Sequence, residues 1–213
     1  MLRLNEIALL NLIIDERDFF ALPSIKKVKI TALVAENIYA SLIRKGILVS
    51  ADELTQKGAL LVKCMTDYKA ASRYVKLGHV IIGIYKEGRG IAVTVNPFDS
   101  RYSFTRIDTT IDISSLSKQY PFLQRENTED PIDMNTTSFQ DLKEKGILKY
   151  DNSILISSFD RRTAEVDLGK ATQNIVLFYY KGNHYTYNCD TNSLKNSTRE
   201  DSTAILTESV VFR

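Results

Sequence analysis

"SLIRKGIL" (residues 41–48) and "DLKEKGIL" (residues 141–148) lie one hundred positions apart and share five identities. In each, helically spaced residues run into Lys-Gly and stop. A cation in the last turn complements the helix dipole, and glycine accepts the left-handed backbone that closes the final carbonyls. What precedes and follows these two helix ends decides the fold.

Upstream of the first, "ITALVAENIYASLIRKGIL" (30–48) repeats Val34, Ile38 and Leu42 beside Ala35, Tyr39 and Ile43, an apolar stripe wide enough to be covered from more than one side. "MLRLNEIALLNLIIDERDFF" (1–20) reads as an amphipathic helix of the fold. Asn5, Glu6 and Asn11 interrupt its apolar run, and no small-residue cleavage site follows, which excludes a signal peptide. Downstream, Ser50 and Glu53 have the spacing of a capping box and predict a helix through residues 51–71. Gly58 costs that helix about 1 kcal/mol relative to alanine and argues for a later start.

After Gly78 the period changes. "HVIIGIYKEGRGIAVTV" (79–95) is two β-rich runs around a glycine turn at 86–90, and the nearly continuous Val80, Ile81, Ile82 and Ile84 predict a strand covered on both faces. A third run at 102–107 completes a three-stranded meander.

Residues 114–137 read as a polar connector with Pro121, Pro131 and "ENTEDPID" (126–133). Thr137 and Gln140 offer a second capping box before the second Lys-Gly-Ile-Leu, and a helical region is expected from 160 to 172. "NIVLFYYKGNHYTYNC" (174–189) then reads as a strand, a glycine turn and an aromatic strand, and "AILTESVVF" (204–212) as a last strand. Tyr85 and Lys86 correspond to Tyr180 and Lys181 before their turns.

The expectation is an α+β fold: one pseudo-two-fold domain over residues 1–213, with a central, mainly antiparallel sheet flanked by helices. It consists of two α-α-β-β-β halves (about 1–113 and 138–213) joined edge to edge, because each three-stranded sheet has edges that need covering.

Composition limits the function. The chain has 213 residues, 44% hydrophobic and 25% charged, and carries a net charge of +2 from 28 basic and 26 acidic residues. A chain of this size buries roughly 70% of its unfolded surface. The charges are interspersed, so nucleic acid is disfavoured as a partner. No run of eighteen apolar residues could span a membrane. Cys64 and Cys189 lack metal spacing and read as reduced thiols. Sequons at Asn135 and Asn196 carry meaning only in a secreted protein, and the expected location is cytoplasmic.

No catalytic, metal or cofactor site is expected, and the chain reads as a non-enzyme. His79 and His184 stand apart from Asp, Glu and Cys at ligand spacing. "GIYKEGRG" (83–90) has phosphate-loop glycines but runs into a strand instead of a helix, so a hairpin turn explains it. A winged-helix DNA-binding regulator stays open as an alternative. Lys26, Lys27 and Lys29 precede the 31–45 helix, which is expected to expose Glu36, Asn37, Ser41 and Arg44, and the 86–90 hairpin would be the wing. A toxin-neutralising immunity protein is a second alternative, and an enzyme assembled from distant residues a third.

Helix, L-x-x-K-G-I-L, helix and a glycine-punctuated aromatic hairpin, twice in about 200 residues, resembles the EspG-like chaperones of type VII (ESX) secretion. The resemblance implies a quasi-two-fold α+β fold that holds helical export substrates soluble in the cytoplasm, without cofactor or catalysis. This chain is richer in Lys, Asn and Ile than mycobacterial members, which implies a Gram-positive relative with LXG or WXG-like cargo. Carried over by position, the family's cargo-engaging hairpin falls on Lys86, Glu87, Gly88 and Arg89, and the helical contact on Asp160, Arg161 and Arg162.

Overall fold

The computed structural model describes residues 1–15, 17–96, 98–108, 118–130, 132, 134, 138–160 and 171–211. Among these residues the α-helices are α1 (Leu4–Asn11), α2 (Ala32–Arg44), α3 (Gln56–Lys69), α4 (Phe139–Glu144) and α5 (Arg199–Val210). The strands are β1 (Leu48–Ser50), β2 (Glu53–Leu54), β3 (Arg73–Leu77), β4 (Val80–Lys86), β5 (Arg89–Val95), β6 (Tyr102–Asp108), β7 (Ser153–Asp160), β8 (Gln173–Tyr180), β9 (Asn183–Asn188) and β10 (Ser193–Ser197). The fold is α+β, built on an eight-stranded sheet in the order β10-β9-β8-β7-β3-β4-β5-β6. Every pairing in that sheet is antiparallel.

Both Lys-Gly-Ile-Leu stretches end their helices with one hydrogen-bond pattern. Gly46 N–H donates to the Ile43 carbonyl at 2.8 Å and Ile47 N–H to Leu42 at 2.9 Å; Gly146 donates to Lys143 at 2.9 Å and Ile147 to Leu142 at 3.0 Å. The glycines take φ of 64° and 66°. This is the Schellman motif, and the paired apolar residues Leu42/Ile47 and Leu142/Ile147 are buried as it requires. The shared octapeptide therefore encodes the same local closure twice.

The chain diverges beyond that closure. After Ile47 residues 48–54 form the small β1–β2 ladder, not the helix expected from Ser50 and Glu53. Helix α3 starts later and is capped by Thr55, whose hydroxyl accepts the Gly58 N–H at 3.0 Å. Gly58 sits in the first turn because a β-carbon there would strike the Ile47 carbonyl. After Ile147 no second long helix follows before β7, and each meander has four strands instead of three: β3 is added to the first, and β7 and β10 to the second, whose expected last strand is a helix. The helix expected at 160–172 is absent at its described ends: Asp160 closes β7 and residues 171–172 are not helical, while 161–170 lie outside the described residues. Residues 204–210, expected as a strand, belong to α5. Helix α4 is capped by the Ser138 hydroxyl, which accepts the Asp141 N–H at 3.1 Å; Thr137 lies outside the described residues.

Residues on β3 and β7 pair in register from Arg73↔Asp160 to Leu77↔Ile156, and this seam joins the two meanders. Side chains alternate across the sheet and divide the interior into three clusters. On one face Tyr74, Ile81, Val93 and Phe104 pack under α1, α2 and α3. On the same face of the second meander Val176, Phe178, Tyr185 and Tyr187 pack under Leu142 and Ile147. The opposite face carries Val75, Leu77, Ile82, Ile156 and Leu177 along the seam, closed by Phe122, Leu123, Leu206 and Val210. Each fully buried aliphatic or aromatic side chain contributes roughly 1.5–3 kcal/mol, so the continuous apolar run of β4 stabilises the fold through both faces. Gly83 interrupts that run because the Tyr68 ring lies 2.8 Å from where a β-carbon would stand.

Candidate partner-binding site

Strands β4 and β5 run antiparallel from Val80↔Thr94 to Lys86↔Arg89, with a register shift between Ile84 and Lys86 just before the turn. Such irregularities bend a hairpin near its end. Lys86, Glu87 and Arg89 are exposed. Gly88 takes φ of 69°, and a β-carbon on it would meet nothing within 4 Å. Lys86, Glu87, Gly88 and Arg89 therefore form a solvent-facing, charged turn. Neighbouring strands β3 and β6 flank this hairpin within the sheet, unlike a wing set beside a recognition helix. The exposed face of α2 is Leu33, Glu36, Asn37, Ala40, Ile43 and Arg44, whereas Ser41, expected on that face, is half-buried and bonds to Glu6.

Sheet register brings Asp160, of the second expected group, to the same end of the molecule. Asp160 pairs with Arg73, and Arg73 pairs with Ile84 one strand further on. Two inter-strand spacings of about 4.8 Å place Asp160 about 10 Å from Ile84, at the base of the turn. Arg161 and Arg162 lie outside the described residues.

Sequence reasoning missed the cleft beside Arg73. It measures about 390 Å³ and is lined by Arg73, Gln173, Ile175, Ile205, Glu208 and Ser209. Burial pushes the Arg73 guanidinium below its ordinary value, and its Nη2 reaches the Ser158 hydroxyl at 3.5 Å. The cleft exists because residues 199–210 form a helix laid over the seam. The capping box of Thr198 and Asp201 was the sequence signal that announced it: the hydroxyl accepts the Asp201 N–H at 3.0 Å and the carboxylate accepts the Thr198 N–H at 2.9 Å. A second hollow, about 410 Å³ between α1, α2 and the β1–β2 turn, is lined mostly by apolar side chains together with Asp52 and is bordered by Leu12 and Ile13, which are 71% and 57% exposed.

The titratable groups that burial alters are packed as structural members. His184 is fully buried; its Nε2–H donates to the Arg125 carbonyl at 2.7 Å, and its Nδ1 faces the Ser202 hydroxyl at 3.4 Å. Tyr68 donates to the Phe20 carbonyl at 3.0 Å, and burial pushes its phenol well above the ordinary value. Cys64 and Cys189 are half-buried free thiols, each pushed up by burial. Among the described residues no group of three or more His, Cys, Asp and Glu could hold a metal ion, and no helix is long and apolar enough to cross a membrane.

Residues 1–210 match the model of a family described as a domain of unknown function (DUF5081). The chain belongs to that family. No curated protein matches this DUF5081 sequence. Among solved structures it is similar to the Mycobacterium tuberculosis type VII secretion system chaperone EspG5, determined in complex with a PE25-PPE41 dimer. The TM-score is 0.58 at 8% identity, and the match covers 98% of this chain and 94% of that one. At that identity the likeness is one of fold, and it runs through both meanders and their helices.

Proposed function

We propose that this protein is a non-catalytic, cytoplasmic chaperone that holds a helical type VII export substrate, of the LXG or WXG-like kind, soluble before export. The observation that carries the proposal is the fold likeness over 98% of the chain to a chaperone captured with its protein partner. The proposal includes a single working unit over residues 1–213, with two related halves (1–113 and 138–213). The β3–β7 seam supports it, since separating the halves would expose two long strand edges. It also assigns the contact to Lys86, Glu87, Gly88 and Arg89, and to Asp160, Arg161 and Arg162. A charged turn at the end of a rigid sheet presents groups in fixed positions without the entropy loss of ordering a loop.

The test is co-expression with an LXG or WXG-like helical protein encoded beside the gene. The expected outcome is a substrate that stays in solution with this protein and aggregates without it, and a complex weakened at least tenfold by the double charge reversal Lys86→Glu and Arg89→Glu. A substrate equally insoluble in both cultures overturns the proposal.

A further inference from the structure

The β4–β5 and β8–β9 hairpin turns have the same length and different surroundings. At the β8–β9 turn, Tyr180 and Asn183 face each other across Lys181 and Gly182; at the β4–β5 turn, Lys86 and Arg89 face each other across Glu87 and Gly88. Gly88 thus stands where Gly182 stands, and Arg89 where Asn183 stands. The turns point from opposite ends of the sheet, because β3 and β7 are antiparallel across the seam.

The β8–β9 turn is occupied by the chain itself. Thr128 donates its N–H to the Gly182 carbonyl at 2.8 Å, Asn183 Nδ2 donates to the Asp130 carbonyl at 3.2 Å, and the His184 N–H donates to Asn127 Oδ1 at 3.0 Å. A β-carbon on Gly182 would strike Glu129 and Thr128. The occupying segment, residues 126–130, is neither helix nor strand, and it carries Glu126, Glu129 and Asp130 past the turn that bears Lys181. Its hold on the turn is mostly through backbone groups, which any sequence of similar shape can supply.

We infer that the β4–β5 turn receives, across Gly88, an extended acidic segment of a partner protein, in the way the β8–β9 turn receives residues 126–130. The inference rests on the reading that this turn meets the partner, and it names the chemistry of the contact. The open space over Gly88 admits a backbone, Arg89 supplies a donor where Asn183 does, and Lys86 and Arg89 outnumber the one acid of the turn, Glu87, which stands where Lys181 does, so the turn is net positive and offers carboxylates charge-assisted hydrogen bonds. In a helical cargo such a segment is the turn or tail that adjoins the helices.

The probe is a synthetic peptide with the sequence of residues 125–132, RENTEDPI, added to the isotope-labelled full chain while its amide resonances are followed. Saturable shifts at Glu87, Gly88, Arg89 and Gly90 are expected. They should fall at least tenfold with a peptide whose acids are changed to amides, and with the Lys86→Glu/Arg89→Glu protein. Gly88→Val, which keeps both cations and fills the space over the turn, should reduce them as well, and its unaltered spectrum elsewhere would show that it is folded. No shift at this turn, shifts only around Lys181, or equal response to the neutral peptide overturns the inference. Undiminished retention of a helical substrate by a protein whose turn is silent to the peptide removes this inference alone. A responsive turn in a protein that fails to hold any such substrate removes the chaperone reading alone.

Discussion

Lys45, at the end of α2, places its ammonium 2.7 and 2.6 Å from the two oxygens of Glu6, a carboxylate on α1 whose side chain is only 2% exposed. Ser41 donates a third hydrogen bond to Glu6 at 2.7 Å, and the Arg3 N–H a fourth at 2.7 Å. Burial alone would raise the Glu6 carboxyl, but these partners outweigh it and hold the group below its ordinary range. Removing the cation strands a buried charge, so Lys45→Met is expected to cost about 3 kcal/mol in urea unfolding, and adding Glu6→Gln to the Lys45→Met protein is expected to recover part of it. Because the folded carboxyl is depressed, the contribution is complete above the unfolded pKa of about 4.3 and fades as pH falls through the folded value.

The two Schellman closures predict matched costs. Gly46 and Gly146 both take left-handed φ, and neither would bring a β-carbon within 4 Å of another group. Alanine at either position meets only backbone strain, about 1–2 kcal/mol. Chemical denaturation of Gly46→Ala and Gly146→Ala should give values within about 0.5 kcal/mol of each other, a small fraction of the strain itself.

Helix α5 predicts a three- to four-residue pattern of sensitivity at 204–210. Leu206 and Val210 are fully buried, whereas Thr207 is half-buried and Ala204 exposed. Leu206→Ala should cost about 2–5 kcal/mol and Thr207→Ala under about 1 kcal/mol in thermal unfolding. Sensitivity alternating at every second residue would contradict the helix.

His184 predicts a pH dependence. Burial pushes its imidazole below the ordinary value, against the opposing pull of the Arg125 carbonyl, Glu126 and Glu200. The unfolded chain therefore binds the proton first. Stability is full above the unfolded pKa of about 6.5 and declines as pH falls from there toward the folded value. Calorimetric melting temperatures between pH 7.5 and 5.5 should fall more steeply for the native chain than for His184→Gln, which keeps an amide donor.

Features that local chemistry enforces were legible in the residues alone. Lys-Gly-Ile-Leu after an apolar helical stripe closes the helix both times it occurs, so α2 and α4 end as read; glycine turns between β-branched and aromatic runs marked β4–β5 and β8–β9, and with them the α+β class. The candidate turn at 86–89 was legible for the same reason. Nothing local distinguished the surroundings of its counterpart at 181–182, since the segment that covers that turn comes from more than fifty residues away.

Other outcomes required the packed molecule. "AILTESVVF" is apolar enough for a strand, yet its residues 204–210 are helical because Leu206 and Val210 close the seam beside Phe122 and Leu123. "SILISSFD" (153–160) carries polar residues at 157 and 158 that mask a strand, and it is held in the sheet by partners on both sides, β3 and β8. The cleft at Arg73 depends on that seam and on α5 together. Each of these outcomes is a contact between residues far apart in the chain, and a local pattern states what a segment can bury but not which surface will bury it.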